Sequence, residues 1–429
     1  MTRNKDVFHD SHCGTTANVV SATTPLFTTP LLVKALLSFL FVCSVSLNAQ
    51  TQKPLQLFTP VQNQFDETPL QAQRLKLIND LPTTKSVQLV RVDQTALTTH
   101  DLLVSLPGTE SFGLTKTGGE TSDSKNFTWT GILHEEQAGG TTLVSRNGEI
   151  TGSISTPTGL YRITPLGGGV QALVQIDSTK FPKDEPESFR AKESQHQQFK
   201  PHELAKADVG QAQIDVLVAY TPSAKAGVAD IDATIALAVA EANQSYVNSG
   251  INIHLNLVDS FQVAYAETGK TFETILADFV AMTDVNKRRD QSGADLAALI
   301  IDQKDYCGLA DAIMANASTA FAVVYYDCAT GYYSFAHELG HLMGARHNEQ
   351  MDPSTTPFAY GHGYLHLAPP PAWRTIMAYD CPGGCQRLQY WSNPRINYGT
   401  QPMGTAATND NARVLNETAA TVAAFRTRP

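Results

Sequence analysis

Cysteine is scarce in this sequence: six in 429 residues, and none between positions 50 and 206. That excludes a disulfide-dense scaffold and denies residues 50–206 any thiolate ligand for a metal. Basic residues are outnumbered, 31 Lys+Arg against 41 Asp+Glu, for a net charge of −10. Such a balance offers no basic face to a phosphate backbone, so a nucleic-acid partner is not expected. The deficit is concentrated: from residue 207 onward 13 basic residues stand against 22 acidic ones, a net of −9. Long apolar runs are missing too. The strongest, "LLVKALLSFLFVCSVSLNAQ" at 31–50, has an apolar core well short of the ~20 residues of a membrane span. No calcium-binding repeat is present.

The short run has the makings of an export signal. Lys34 precedes the apolar core, and Leu47-Asn48-Ala49 closes it with a cleavage-type pattern. Residues 1–49 are therefore expected to leave as a signal peptide with an N-terminal extension, giving a secreted mature form without a membrane anchor. Cys13 and Cys43 would leave with it. The four remaining cysteines, Cys307, Cys328, Cys381 and Cys385, allow three pairings. Cys307 with Cys328 and Cys381 with Cys385 is the favoured one, because the glycines of "CPGGC" permit a tight return; a second zinc site is the competing reading.

The length suits two or three domains. Residues 50–177 carry short runs of strand type, such as "SVQLVRV", "NFTWTGIL" and "TGLYRITPL", separated by glycine pairs and an Asn-Gly turn. They predict a strand-rich domain with no catalytic constellation; His134-Glu135-Glu136 reads as exposed loop. Residues 178–210 are charged and poor in aliphatics, which predicts an exposed linker open to proteolysis. From 211 to 429, strand and helix patterns alternate, which predicts an α/β (α+β) domain with a twisted mixed sheet.

The chemistry is concentrated in "FAHELGHLMGARHNE", residues 335–349. His337 and His341 are four apart, so a helix places both on one face, one turn apart. Two imidazoles can then reach one metal ion. A third ligand has to come from another direction, so the helix must end. Gly344 tolerates the left-handed conformation that ends a helix, and His347 follows three residues later. Three neutral nitrogens leave a tetrahedral zinc one open position. Glu338, beside His337, can take a proton from water there and deliver it to a leaving amine.

The string "HELGHLMGARH" followed by "TIMAYDC" resembles the metzincin zinc endopeptidases. The resemblance implies one catalytic Zn²⁺ on His337, His341 and His347, Glu338 as catalytic base, and Met377 in a methionine turn beneath the metal. Tyr379 matches a position where some metzincin families steady the oxyanion. "IDVLVAYTPSAKAG", "YGHGY" and "YWSNPRINYG" narrow the likeness to the bacterial peptidyl-Asp metallopeptidases over about 210–427. That implies cleavage of protein or peptide substrates on the N-terminal side of Asp. An acidic body needs a local cation to hold an acidic side chain, and Arg374, Arg387 and Arg395 lie in or near the segment that walls this pocket in metzincins. Asn348 departs from the acid that related enzymes often carry after the third histidine.

The family also implies a propeptide acting as intramolecular inhibitor. With no cysteine in residues 50–206, a carboxylate or steric cover must block the metal. Removal by a cut within 178–210 is expected, with Lys183–Asp184 and Ala207–Asp208 as candidate bonds for self-cleavage. The mature form is expected to be a monomer. A metzincin of broader, reprolysin-like specificity is the alternative enzyme reading, and a zinc-binding interaction module without catalysis is the alternative outside enzymes.

Overall fold

Alternation of apolar and polar residues builds the N-terminal region of the computed structural model, which describes residues 54–61, 66–109, 111–133, 139–186 and 210–428. Seven consecutive strands from Asp101–Ser105 to Val170–Ile176 pair antiparallel with their neighbours, and Thr84–Val92 and Phe58–Pro60 continue the sheet to ten strands with Leu55–Gln56 at the far edge. The two-residue loop Asn147-Gly148, at φ 51° and 84°, joins Gly140–Arg146 to Glu149–Thr156. Both residues take the positive φ that a tight hairpin needs to match strand twist. Trp129, Leu143, Ile150, Tyr161, Ile163 and Leu173 form one buried core. The helix Pro69–Asp80 starts on a capping box between Thr68 and Gln71, with Pro69 in its first turn.

The C-terminal region is built differently. Its sheet runs Ile253–Gln262, Ala212–Tyr220, Leu296–Ile301, Phe321–Tyr325, then Gly308–Ala310. The first four strands are parallel and the last is an antiparallel edge. Leu296–Ile301 is buried along its whole length, as a central parallel strand covered on both faces must be. The architecture is thus mixed α/β. Two helices, Phe272–Ala281 and Thr283–Ser292, follow one another directly, because Met282 takes an extended conformation between them. No helix among the described residues is long and apolar enough to cross a membrane.

The two regions share buried polar contacts. Arg162, from the N-terminal sheet, donates to Asp327 at 2.6 Å, and Thr83 donates to the other oxygen at 2.7 Å. Ser153 donates to Glu241 on the helix Ile231–Asn248, and Glu241 also accepts the Gly331 N–H at 2.8 Å. Burial pushes the Glu241 carboxyl up to about 7 against the hydrogen bonds that favour its charge.

A raised carboxyl binds its proton more tightly folded than unfolded, so stability falls as pH rises from about 4.5 to about 7. This group alone contributes a loss of about 3 kcal/mol across that window. Urea unfolding of the full chain should therefore show Glu241→Gln losing less stability than wild type between these limits. Parallel pH profiles for the two proteins would remove Glu241 as the source.

Candidate metal centre and acid-binding cleft

The helix Ser334–Leu342 carries the first two histidines of the motif. His337 and His341 point their Nε2 atoms at each other, 3.2 Å apart. Gly344, at φ 104°, turns the chain after the helix. His347 then brings its Nε2 to 3.2 Å from His337 and 2.9 Å from His341.

Backbone carbonyls set the tautomers. His337 Nδ1 lies 2.9 Å from the Ile376 carbonyl, and His341 Nδ1 lies 2.9 Å from the Ala345 carbonyl. Each Nδ1–H donates there, which fixes each ring with its Nε2 turned toward the common centre. Burial lowers the His337 pKa to about 4, which keeps that ring neutral. Three nitrogens so close repel unless a cation, a proton or a metal ion, lies between them. Tetrahedral metal–nitrogen bonds of ~2.0–2.1 Å need an edge of ~3.3 Å between nitrogens. The donor set fits zinc.

The floor is set by close approach. A Cβ on Gly340 would lie 2.5 Å from the Trp391 ring and 2.9 Å from Met377 Sδ, so glycine lets the Met377 turn pack under the motif helix. His362 donates from Nδ1 to the His347 carbonyl at 2.8 Å and is buried. His366 stacks on Trp373 at 4.9 Å. Asn348 accepts the Tyr379 N–H at 3.0 Å, and the Tyr379 ring lies 4.4 Å from His347. Here an amide positions the tyrosine.

Glu338 is buried beside the histidines, and its Oε2 has no hydrogen-bond partner among the described residues. A Cβ on Gly308 would meet its carboxylate at 2.2 Å, so the glycine of the edge strand makes room for it. Burial, with Glu185 and Asp184 nearby, pushes the Glu338 carboxyl well above its ordinary value.

Sequence reasoning missed the next two residues. Glu185 lies 2.9 Å from His341 Nε2, 3.0 Å from His347 Nε2 and 3.5 Å from His337 Nε2. One of its oxygens and one nitrogen of each histidine lie within 4.8 Å of one another. Burial works against its charge, yet His347 and His341 hold it well below the ordinary carboxylate range. Asp184 accepts from Arg387 at 2.6 Å and lies 3.5 Å from Arg374. The Cys307 N–H donates to the Lys183 carbonyl at 2.9 Å, and the Gly308 N–H to the Asp184 carbonyl at 3.0 Å. Phe181 stacks on Tyr332 at 4.1 Å.

Residues 181–186 are therefore laid along the sheet edge, with Asp184 and Glu185 buried. This corrects the expectation of an exposed linker over the whole of 178–210. Hydrophilic composition predicts exposure only when the charges lack partners, and here arginines and histidines supply them. The clue available was the context: a carboxylate pair between Pro182 and Pro186, in a protein expected to hold Asp. Ala207–Asp208, residues 1–49 expected as a signal segment, and His134-Glu135-Glu136 lie outside the described residues.

Of the three arginines, two meet. Arg374 and Arg387 are register partners on adjacent short strands, and both reach the Ala378 carbonyl and the Tyr332 ring. Burial opposes the Arg387 charge, but Asp184, Tyr332 and Asp380 keep it above its ordinary value. Arg395 is elsewhere: its fork grips Asp410 at 2.5 and 2.8 Å and its side chain is half exposed. It is no part of the cleft. Cys307 is bonded to Cys328, and Cys381 to Cys385.

Metal content separates ligand from base. His341→Ala should yield protein that retains little zinc by elemental analysis, whereas Glu338→Gln should stay stoichiometrically loaded. Equal loss in both would remove the distinction.

Comparison with known proteins agrees with this geometry. The profile of metallo-peptidase family M12 matches residues 210–392. A peptidyl-Asp metalloendopeptidase of Stenotrophomonas maltophilia is 42% identical over 80% of this chain and 88% of its own. Another, from Xanthomonas campestris, is 39% identical over 90% of this chain and 97% of its own. One from Pseudomonas fragi is 44% identical over 43% of this chain and the whole of its own. The chain belongs to the peptidyl-Asp metalloendopeptidase family and is a zinc metalloendopeptidase.

Proposed function

We propose that the protein is an exported endopeptidase, made as a latent precursor, that cuts peptide bonds on the N-terminal side of Asp. The observation that carries the reading is the juxtaposition of two sites: three converging histidines with Glu338, and a buried arginine pair already holding an aspartate.

His337, His341 and His347 would hold the ion, and zinc there polarises a scissile carbonyl and acidifies water. Glu338 takes the proton of the attacking water and passes it to the departing amine; its partnerless Oε2 is the atom suited to the task. Tyr379, fixed through its backbone by Asn348, steadies the developing oxyanion with its hydroxyl. Arg387 and Arg374 bind the substrate's Asp through charge-assisted hydrogen bonds. Asp184 stands in for that side chain.

Latency is assigned to the segment that includes Asp184 and Glu185, with 50–177 as propeptide, 178–210 as activation segment and 211–429 as catalytic domain. Glu185 takes the position over the histidines that a substrate needs. The chain order explains why an Asp-reading enzyme does not cut here. A substrate places Asp in the arginine pocket and the preceding residue over the histidines. The segment places Asp184 in the pocket and the following residue over the histidines, so it runs the opposite way. The Lys183 carbonyl, which a cut before Asp184 would attack, is bonded to the Cys307 N–H instead. Lys183–Asp184 is accordingly set aside as the activating bond. Export is supported by the signal-like 1–49 segment and two disulfides, which suit an oxidising compartment.

Digestion of a defined protein should yield new N-termini that begin with Asp; a scatter of residues there would sink the specificity. Glu338→Gln should lower kcat by ~10²–10⁴-fold. Arg387→Ala should lower kcat/KM for Asp peptides by roughly 10–100-fold, the loss of a hydrogen bond between charged groups. In the unprocessed chain, Glu185→Ala should raise activity on a small peptide. A silent Glu185 variant would mean that steric cover alone maintains latency.

A further inference from the structure

We propose that Asp380 is the positioning residue of the acid-binding pocket, acting through Arg374, and that the disulfide-closed ring 381–385 holds it in place. The inference rests on the arginine pair being the Asp-reading pocket.

Two guanidiniums buried side by side repel each other and need fixed anions. Asp184 supplies one, but it belongs to the segment that must leave before any substrate enters. Asp380 then remains, with Oδ1 3.6 Å from Arg374 Nε. Arg374 is otherwise held at its two terminal nitrogens, by the Ala378 carbonyl at 2.7 Å and the Tyr332 hydroxyl at 2.8 Å. Its Nε has no hydrogen bond within the described residues. Asp380 is the carboxylate on that side of the fork.

Asp380 is itself preorganised. Its Oδ1 accepts the N–H of Cys381 at 2.9 Å and of Cys385 at 3.0 Å. Those are the two ends of the ring closed by the Cys381–Cys385 bond. Gly383 and Gly384 take φ 89° and 84°, a left-handed pair that brings the second end back. The loop also walls a cavity of about 280 Å³ bordered by Arg374, Arg387 and Tyr332. Two cations and one fixed anion leave the emptied pocket one positive charge, the complement of a single Asp side chain. That resolves how an acidic catalytic region can select an acidic residue.

The test uses full chain activated to the processed, zinc-loaded form, with kcat and KM measured on an Asp peptide and on the same peptide carrying Ala. Asp380→Asn keeps an acceptor for both N–H groups but removes the charge. It should raise KM for the Asp peptide about tenfold, with kcat within about twofold and the slow Ala peptide unaffected. Asp380→Glu should restore part of the loss, and the double variant Cys381→Ser, Cys385→Ser should copy Asp380→Asn. A KM that is unchanged or lower in Asp380→Asn, or an equal loss on both peptides, overturns the proposal. Failure of the underlying reading looks different: wild type itself would then show no preference for the Asp peptide, whatever Asp380 does.

Discussion

Three imidazole nitrogens converge within 3.2 Å of one another, and much of the C-terminal region is arranged to keep them there. Lone pairs at that separation repel in the absence of a cation, so the fold has to hold them against the repulsion. It does so from behind. Carbonyls of Ile376 and Ala345 fix two of the rings, and His362 fixes the backbone of the third. The Ile376 carbonyl comes from the same turn that puts Met377 under Gly340. Packing and ligand orientation are therefore one feature: a side chain at 340 would lift the helix from the turn and release His337.

The cleft joins this centre to a second one of opposite character. The histidine site attracts anions once a cation is bound, and the arginine pair attracts them at all times. Asp184 and Glu185 satisfy both with adjacent residues, which is why a hydrophilic segment can be buried without stranding its charges. A peptide that offers one carboxylate to the arginines and a carbonyl to the metal would make the same two contacts in the opposite chain direction. In the proposed function, latency and specificity are two uses of one pair of sites. The strand edge at Cys307 and Gly308 supplies backbone hydrogen bonds to the segment that carries Asp184 and Glu185.

Removing the N-terminal sheet would uncover more than the cleft. Asp327 and Glu241 are buried carboxylates whose partners Arg162, Thr83 and Ser153 belong to the N-terminal region. Such contacts between regions are strong only while water is excluded, so losing one part exposes the rest to solvent competition. Glu241, with its raised pKa, is the member most sensitive to rising pH.

The sequence was most informative where the physics is local. His337, His341 and Gly344 follow from helical periodicity and glycine's backbone freedom, and His347 comes only ten residues after His337, so the whole turn is local. The strand-rich and α/β halves were legible from alternation and from buried runs such as Leu296–Ile301. Distance in sequence hid the rest. Asp184 and Arg387 are 203 residues apart, and no spacing rule connects them. Three arginines looked equivalent in the string; strand pairing put Arg374 beside Arg387, while Asp410 took Arg395. By itself the sequence determined which residues could gather a metal ion, because one helical turn and one glycine do that work. Only the tertiary structure decided what lies over the three histidines and which arginines hold Asp184, because those contacts depend on surfaces brought together by folding.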